Sequence, residues 1–227
     1  MSGERSTVAL AALTWDAVPD DPTLLVPIGS CEQHGPHLPI GTDTLIAGAV
    51  ADEAARRAIG AWVAPAITVT ASGEHQGFPG TLSIGTEAMA TVLVELVRSA
   101  GWARRVVLVN GHGGNADAVS RAVAALMAER RPVSAWWPDL RAHVAPGDLH
   151  AGRAETSLVL AIRPDLVRAD AAVAGPSPTL AELVEHGVRP LSPTGVLGDP
   201  GGASADEGSR LLELLAGQLV DHLRGLA

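Results

Sequence analysis

Arg105-Val106-Val107-Leu108-Val109-Asn110-Gly111-His112-Gly113-Gly114-Asn115 is the stretch that decides the fold. Its first half, Arg105–Val109, is a short apolar run rich in β-branched residues, which predicts a buried strand. Its second half breaks into glycines, and helical periodicity follows over Ala116–Arg130 until Pro132 stops it. The same alternation continues on both sides. Apolar runs predict strands at Thr23–Ile28, Trp62–Thr70 and Val133–Trp137. Helical patterns predict Leu45–Ala58, Glu87–Ala100, Glu155–Ile162 and an amphipathic Asp206–Leu226. Strands alternating with helices of this length make βαβ units, an α/β fold with a mostly parallel sheet covered on both faces. The Gly- and Pro-rich stretch Pro190–Ala203 predicts a mobile or subunit-bridging loop.

A length of 227 residues fits one domain, or at most two small ones. Hydrophobic residues at 47% against 18% charged exclude a disordered chain. No apolar run reaches the ~18 residues of a membrane span. Met1–Leu10 holds Glu4 and Arg5 without a cationic segment, so no signal peptide is expected. Cys31 is the single cysteine, which excludes an internal disulfide and predicts a reducing, cytoplasmic setting. A net charge of −9, one phenylalanine and no tyrosine argue against a nucleic-acid partner. The mean hydropathy of +0.22 predicts apolar surface shared between subunits of a homo-oligomer.

In open parallel sheets the ligand site lies beyond the carboxyl ends of the strands. Here those ends carry the histidines: His34 and His37 after the first strand, His75 after the second, His112 after the third, and His143 and His150 after the fourth. Six of the eight histidines of the chain lie in this set. Glu32 and His34 are two apart on extended chain and point to one side. Asp43 stands where the next helix begins and suits either a metal ligand or a helix N-cap. Carboxylates with imidazoles suit Zn²⁺, Mn²⁺ or Fe²⁺. A two-metal site with one bridging carboxylate needs about five protein ligands. Glu32, His34, Asp43 and His112 supply four, and Glu155 is the best fifth. His150 is left as a proton donor near neutral pH. Glu74 and His75 lie on a glycine-rimmed loop, as a structural turn or as substrate-contacting and supporting groups. Trp136 and Trp137 end a strand and either join the core or wall a pocket. Gly111 to Ala116 also reads as a G-x-G-x-x-A dinucleotide fingerprint, with Asp139 as the ribose acid. That reading is weak, because the fingerprint belongs to the first βα turn and His112 would crowd a pyrophosphate.

Taken in order, four motifs resemble the creatininase family of metal-dependent amidohydrolases. They are Glu32-x-His34-Gly35-x-His37-Leu38-Pro39 with Asp43; Glu74-His75-x-x-Phe78-Pro79-Gly80-Thr81; Asn110-Gly111-His112-Gly113-Gly114-Asn115; and His150-Ala151-Gly152-x-x-Glu155-Thr156-Ser157. The match spans nearly the whole chain, so the resemblance implies a single domain, 1–227, with a three-layer α/β/α fold. It further implies two divalent ions per subunit, a homo-oligomer that is often a hexamer, and hydrolysis of a C–N amide bond by a metal-activated water. Glu32, His34, Asp43 and His112 match metal ligands, with Asp43 bridging. Creatininase carries a glutamate ligand two residues after the third-motif histidine; here that place is Gly114, and Glu155 is expected to supply the missing carboxylate. Within the family the size and details resemble the peptidases of mycofactocin biosynthesis. These release a C-terminal Val-Tyr-derived dipeptide from a modified ribosomal precursor peptide. A small cyclic amide or formamide substrate, or a non-catalytic nucleotide- or metal-binding module, stand as the alternatives.

Overall fold

Thr23–Ile28 is buried along its whole length, as a strand covered on both faces requires. In the computed structural model, which describes residues 8–226, it is β1 of a four-stranded sheet. The amino-terminal residues Glu4 and Arg5 lie outside the described residues. The chain then runs α1 (Thr42–Arg57), β2 (Ala61–Val63), α2 (Gly85–Ser99), β3 (Arg105–Asn110), α3 (Ala116–Ala128), β4 (Val133–Trp136), α4 (Arg153–Ile162), α5 (Leu180–His186), α6 (Val188–Leu191) and α7 (Ala205–Gly225). The strand order is β2-β1-β3-β4, and every neighbouring pair is parallel.

Side-chain alternation along the strands divides the core in two. Leu24, Val26, Ile28, Val106 and Leu108 face α2 and α3, where Met89, Leu93, Val97, Val119 and Leu126 meet them. Leu25, Val107 and Val109 face α1, α4 and α7, against Val50, Leu158, Leu215 and Leu219. Burying each such side chain contributes about 1.5–3 kcal/mol. The layers are therefore helices, sheet, helices, with all strands ending at one edge.

Three expectations need correction. The predicted strand Trp62–Thr70 is β2 for only three residues, Ala61–Val63. Pro65 offers no N–H to the ladder, and beyond it only single bridges remain, Ile28 with Ile67 and Thr70 with Ser83. Between Pro164 and Asp206 only the loop Pro190–Ala203 is expected and no helix, yet α5 and α6 lie there. A capping box starts α5, with Thr179 Oγ1 accepting from Glu182 N–H and the Glu182 carboxylate accepting from Thr179 N–H. The stretch Pro190–Ala203 is anchored at its middle. Val196 and Leu197 are fully buried, and Leu197 exchanges backbone hydrogen bonds with His150.

Candidate metal centre and active site

Five chain segments meet at the carboxyl edge of the sheet. The residues after β1 bring Ser30, Glu32, Gln33 and His34. The first turn of α1 brings Asp43, the short helical turn Gly73–His75 brings Glu74 and His75, and the β3–α3 connection brings His112. His150 precedes α4, and Glu155 lies in its first turn. Ala151, between them, is buried at a left-handed φ of 52°. This costly conformation aims its N–H at Glu155 Oε2, 2.6 Å away.

Asp43 is the hub. His34 Nε2 lies 3.1 Å from Oδ1, and His112 Nδ1 lies 3.0 Å from Oδ2. Ser30 Oγ donates to Oδ2 at 2.7 Å. Asp43 makes no cap hydrogen bond to α1, whose N-cap is Gly41, so its carboxylate serves the cleft and the N-cap alternative fails. Glu32 is fully buried, and neither of its oxygens has a hydrogen-bond partner. Around it stand His112 Nε2 at 3.1 Å from Oε2, and His75 Nε2 at 3.2 Å and His150 Nδ1 at 3.9 Å from Oε1. A buried, unbonded carboxylate is costly without a cation. The donors around it group by threes: Glu32, Asp43 and His112; His34, His150 and Glu155; and Glu32, His75 and His150. Within each group the ligand atoms lie no more than 4.8 Å apart. Oxygen and imidazole donors so placed fit divalent metal ions.

The electrostatics agree. Burial raises Glu32, and the Asp43 charge adds to it. Burial also raises Glu155, to about 7. Burial works against a charged His34, but Asp43, Glu155 and Glu32 outweigh it and lift the ring to about 9. His112 is likewise raised, against its burial, by Asp43, Glu32 and Glu74. Burial lowers His75 to about 4, and burial with the neighbouring His34 and His75 rings holds His150 well below its ordinary value. The cleft thus holds two neutral rings, His75 and His150, beside two that carry protons which a metal would displace.

Gly114 shows where the space goes. A Cβ there would collide with Glu74 Oε1, His112 Nε2 and the Ala71 carbonyl oxygen. Glu74 Oε1 itself stands 3.1 Å from His112 Nε2. The carboxylate of Glu74 occupies the room that a side chain at position 114 would need. Gly111 is as close to α1, its would-be Cβ 3.0 Å from both Asp43 O and Ala47 Cβ. These glycines serve close approach, not a phosphate cradle, and the acidic groups beside them would repel a pyrophosphate. The dinucleotide alternative therefore fails.

The cleft has a volume of about 960 Å³. Its floor includes Glu32, Asp43, Glu74, His75, His112, His150 and Glu155. Its outer wall is α5 and α6, where Leu180, Leu183 and Val184 line it beside Glu185, His186 and Arg189, and Leu149 lines it as well. The sequence reading missed this wall, although Thr179-x-x-Glu182 marks the start of α5. It also gave no part to Ser30 or Gln33. Other residues stay outside the cleft: His143 and Asp139 are exposed, and Asp139 pairs with Arg141 at 2.6 Å. Trp136 joins the core, Trp137 is surface-exposed, and neither lines the cleft. His37 is buried, with Nε2 2.9 Å from Thr156 Oγ1. Cys31 Sγ contacts the Gly80 carbonyl at 3.6 Å.

Comparison with known proteins accounts for this arrangement. The Creatininase family model, creatinine amidohydrolase, matches residues 11–223. A "Mycofactocin precursor peptide peptidase" of Mycolicibacterium smegmatis is 47% identical over 216 residues, covering 89% of this chain and 85% of that protein. A solved mutant creatininase of zinc–zinc type superposes with a TM-score of 0.80 at 28% identity, covering 97% of this chain and 98% of that one. A manganese creatininase does so with a TM-score of 0.80 at 27% identity and the same coverage. The chain belongs to the creatininase family and is a hydrolase of C–N amide bonds.

Proposed function

We propose that this hydrolase is a cytoplasmic, homo-oligomeric peptidase. Its substrate is a modified ribosomal precursor peptide, from which it releases a C-terminal Val-Tyr-derived dipeptide using two divalent ions. The observation that carries the metal reading is Glu32, a fully buried carboxylate with no hydrogen bond on either oxygen. The peptide reading rests on the 47% identical relative and its name. A cleft of about 960 Å³ with an apolar wall also gives room for a peptide segment.

Glu32, Asp43 and His112 would hold one ion, and His34, Asp43 and Glu155 the other, with Asp43 shared. Zn²⁺, Fe²⁺ and Mn²⁺ all suit this donor set. Divalent ions bound there would supply Lewis acidity and water activation, lowering the pKa of bound water toward ~7. The chain's own groups do the rest. Ser30 holds Asp43 in register. His150, neutral and buried, takes a proton within the cleft and passes it to the leaving amine. Glu74 and His75 line the approach and orient His112 and Glu32. Leu180, Leu183 and Val184 hold the apolar side chains of the peptide.

Elemental analysis tests this directly. Two ions per chain are expected in the unaltered protein and one in Glu155→Ala. The unaltered protein should also cleave a precursor peptide near its C-terminus, and faster than a small cyclic amide. Absence of metal in both proteins would overturn the mechanism; two ions in both would remove Glu155 from the ligand set. Preference for the small amide would overturn the substrate.

A further inference from the structure

Gln33 sits between Glu32 and His34 in the sequence and is buried. Its amide orientation is settled by two contacts. Oε1 accepts from the Gly35 N–H at 2.8 Å, and Nε2 donates to the Gly195 carbonyl at 3.1 Å. Nε2 also lies 3.0 Å from His75 Nδ1 and 3.0 Å from His150 Nε2. That makes three partners for two amide hydrogens.

The backbone resolves the competition. The carbonyl oxygen of Gln33 is 2.8 Å from His150 Nε2. A carbonyl only accepts, so at that distance His150 Nε2 carries the proton and donates it. A protonated Nε2 cannot also accept from the amide. The two amide hydrogens therefore go to Gly195 O and His75 Nδ1. His75 Nδ1 is then bare, and its single proton sits on Nε2, which faces Glu32 Oε1 at 3.2 Å. His150 Nδ1 is bare as well and faces the same oxygen at 3.9 Å.

We propose that Gln33 is a positioning residue that sets the tautomers of two histidines at once. Its carbonyl oxygen holds the proton of His150 on Nε2, and its amide holds the proton of His75 on Nε2. The consequence is a division of labour between two rings whose centroids are 4.4 Å apart. His150 turns a lone pair toward the carboxylate centre and can accept a proton or a metal ion there. His75 turns an N–H toward Glu32 Oε1, 3.2 Å away, so that nitrogen has no lone pair for a metal ion. Such control of one ring nitrogen by the bond at the other is how histidine roles are set in metal sites. The tautomers need neither the substrate nor the reaction proposed above, so their test fails or succeeds independently of that reading.

The test is ring-nitrogen NMR of the full-length, ¹⁵N-labelled, zinc-loaded protein, with His75 and His150 assigned from single histidine variants. Both rings are expected as Nε2–H tautomers. In Gln33→Glu the side chain becomes an acceptor, and the proton of His75 is expected to move to Nδ1, while His150, held by the backbone carbonyl, keeps Nε2–H. That variant should also lose about 10–100-fold in kcat, the usual cost of changing a group that orients a site, with unchanged helix content. Gln33→Leu, with neither donor nor acceptor, should leave His75 in a mixture of tautomers. A proton on Nδ1 of either ring in the unaltered protein overturns the proposal without any variant. So does an unchanged His75 in Gln33→Glu.

Discussion

The floor and the outer wall of the cleft are built on opposite plans. The floor is polar, buried and over-connected. Asp43 alone meets Ser30, His34 and His112, and Glu32 has no exposed surface. The wall is apolar and open: Leu180 and Val184 are 66% and 79% exposed on a helix of seven residues. The floor hangs on strand ends and helix starts, which the two apolar cores hold rigid. The wall is held by the capping box of α5, by the buried Val188 and by Arg189, which donates to the Gly77 carbonyl at 3.2 Å. Chemistry needs its groups held to fractions of an ångström, whereas substrate choice needs only a surface of suitable shape and polarity. On these plans, changes to the wall are expected to alter selectivity and changes to the floor to alter bond cleavage.

The strongest challenge to that division is Asp43→Ala. It removes the carboxylate that stands within 3.1 Å of both His34 and His112. Elemental analysis is expected to show the loss of both ions, and kcat/KM should fall by more than the ~100-fold that supporting residues cost. Retention of two ions would falsify the shared role of Asp43. The next effect is on the wall. Replacing Leu180 and Val184 together by Asp should raise KM for a peptide by about 10-fold, the scale of a few lost apolar contacts. Metal content and turnover of a small amide should stay the same. A matching loss on the small amide would merge wall and floor into one unit.

The smallest effect concerns the metal-free floor, read by thermal unfolding against pH. His34 is raised from 6.5 to about 9. A raised histidine stabilises fully below its unfolded value of 6.5, and that contribution is lost as pH climbs through about 9. His75 is lowered from 6.5 to about 4. The unfolded chain takes up that proton first, so stability is lost as pH falls from 6.5 toward about 4. Glu155, raised from 4.5 to about 7, likewise loses its contribution as pH climbs through about 7, so the metal-free protein should lose stability steadily between about pH 6.5 and 9. Added Zn²⁺ should flatten the alkaline side, because a metal ion takes the place of the His34 proton. An alkaline limb that Zn²⁺ leaves unchanged would separate His34 from the metal centre.

Much of this was legible along the chain. β1, β3, β4 and the helices α1, α2, α3, α4 and α7 follow from apolar runs, periodicity and Gly or Pro stops, because those signals act within a few residues. The placement of Glu32, His34, His112 and His150 followed from a rule about strand ends. The failures share a cause. Trp62–Thr70 has the hydrophobicity of a strand, but its Pro65 matters only once a neighbouring ladder asks for an N–H. The short helices α5 and α6 have too few turns for periodicity to register, and they gain their place by closing the cleft. Gln33 is an ordinary polar residue until Gly195, His75 and His150 arrive from 42 or more positions away.

Local pattern and the order of motifs are enough for the layered α/β/α architecture, the family, and the residue types able to hold metal. Packing between distant segments sets which of those residues meet Asp43, that Glu74 fills the space beside Gly114, and that α5 faces the floor. Those outcomes depend on distances between segments far apart in the chain, which are set by packing of the two cores and by the need to give each buried polar atom a partner.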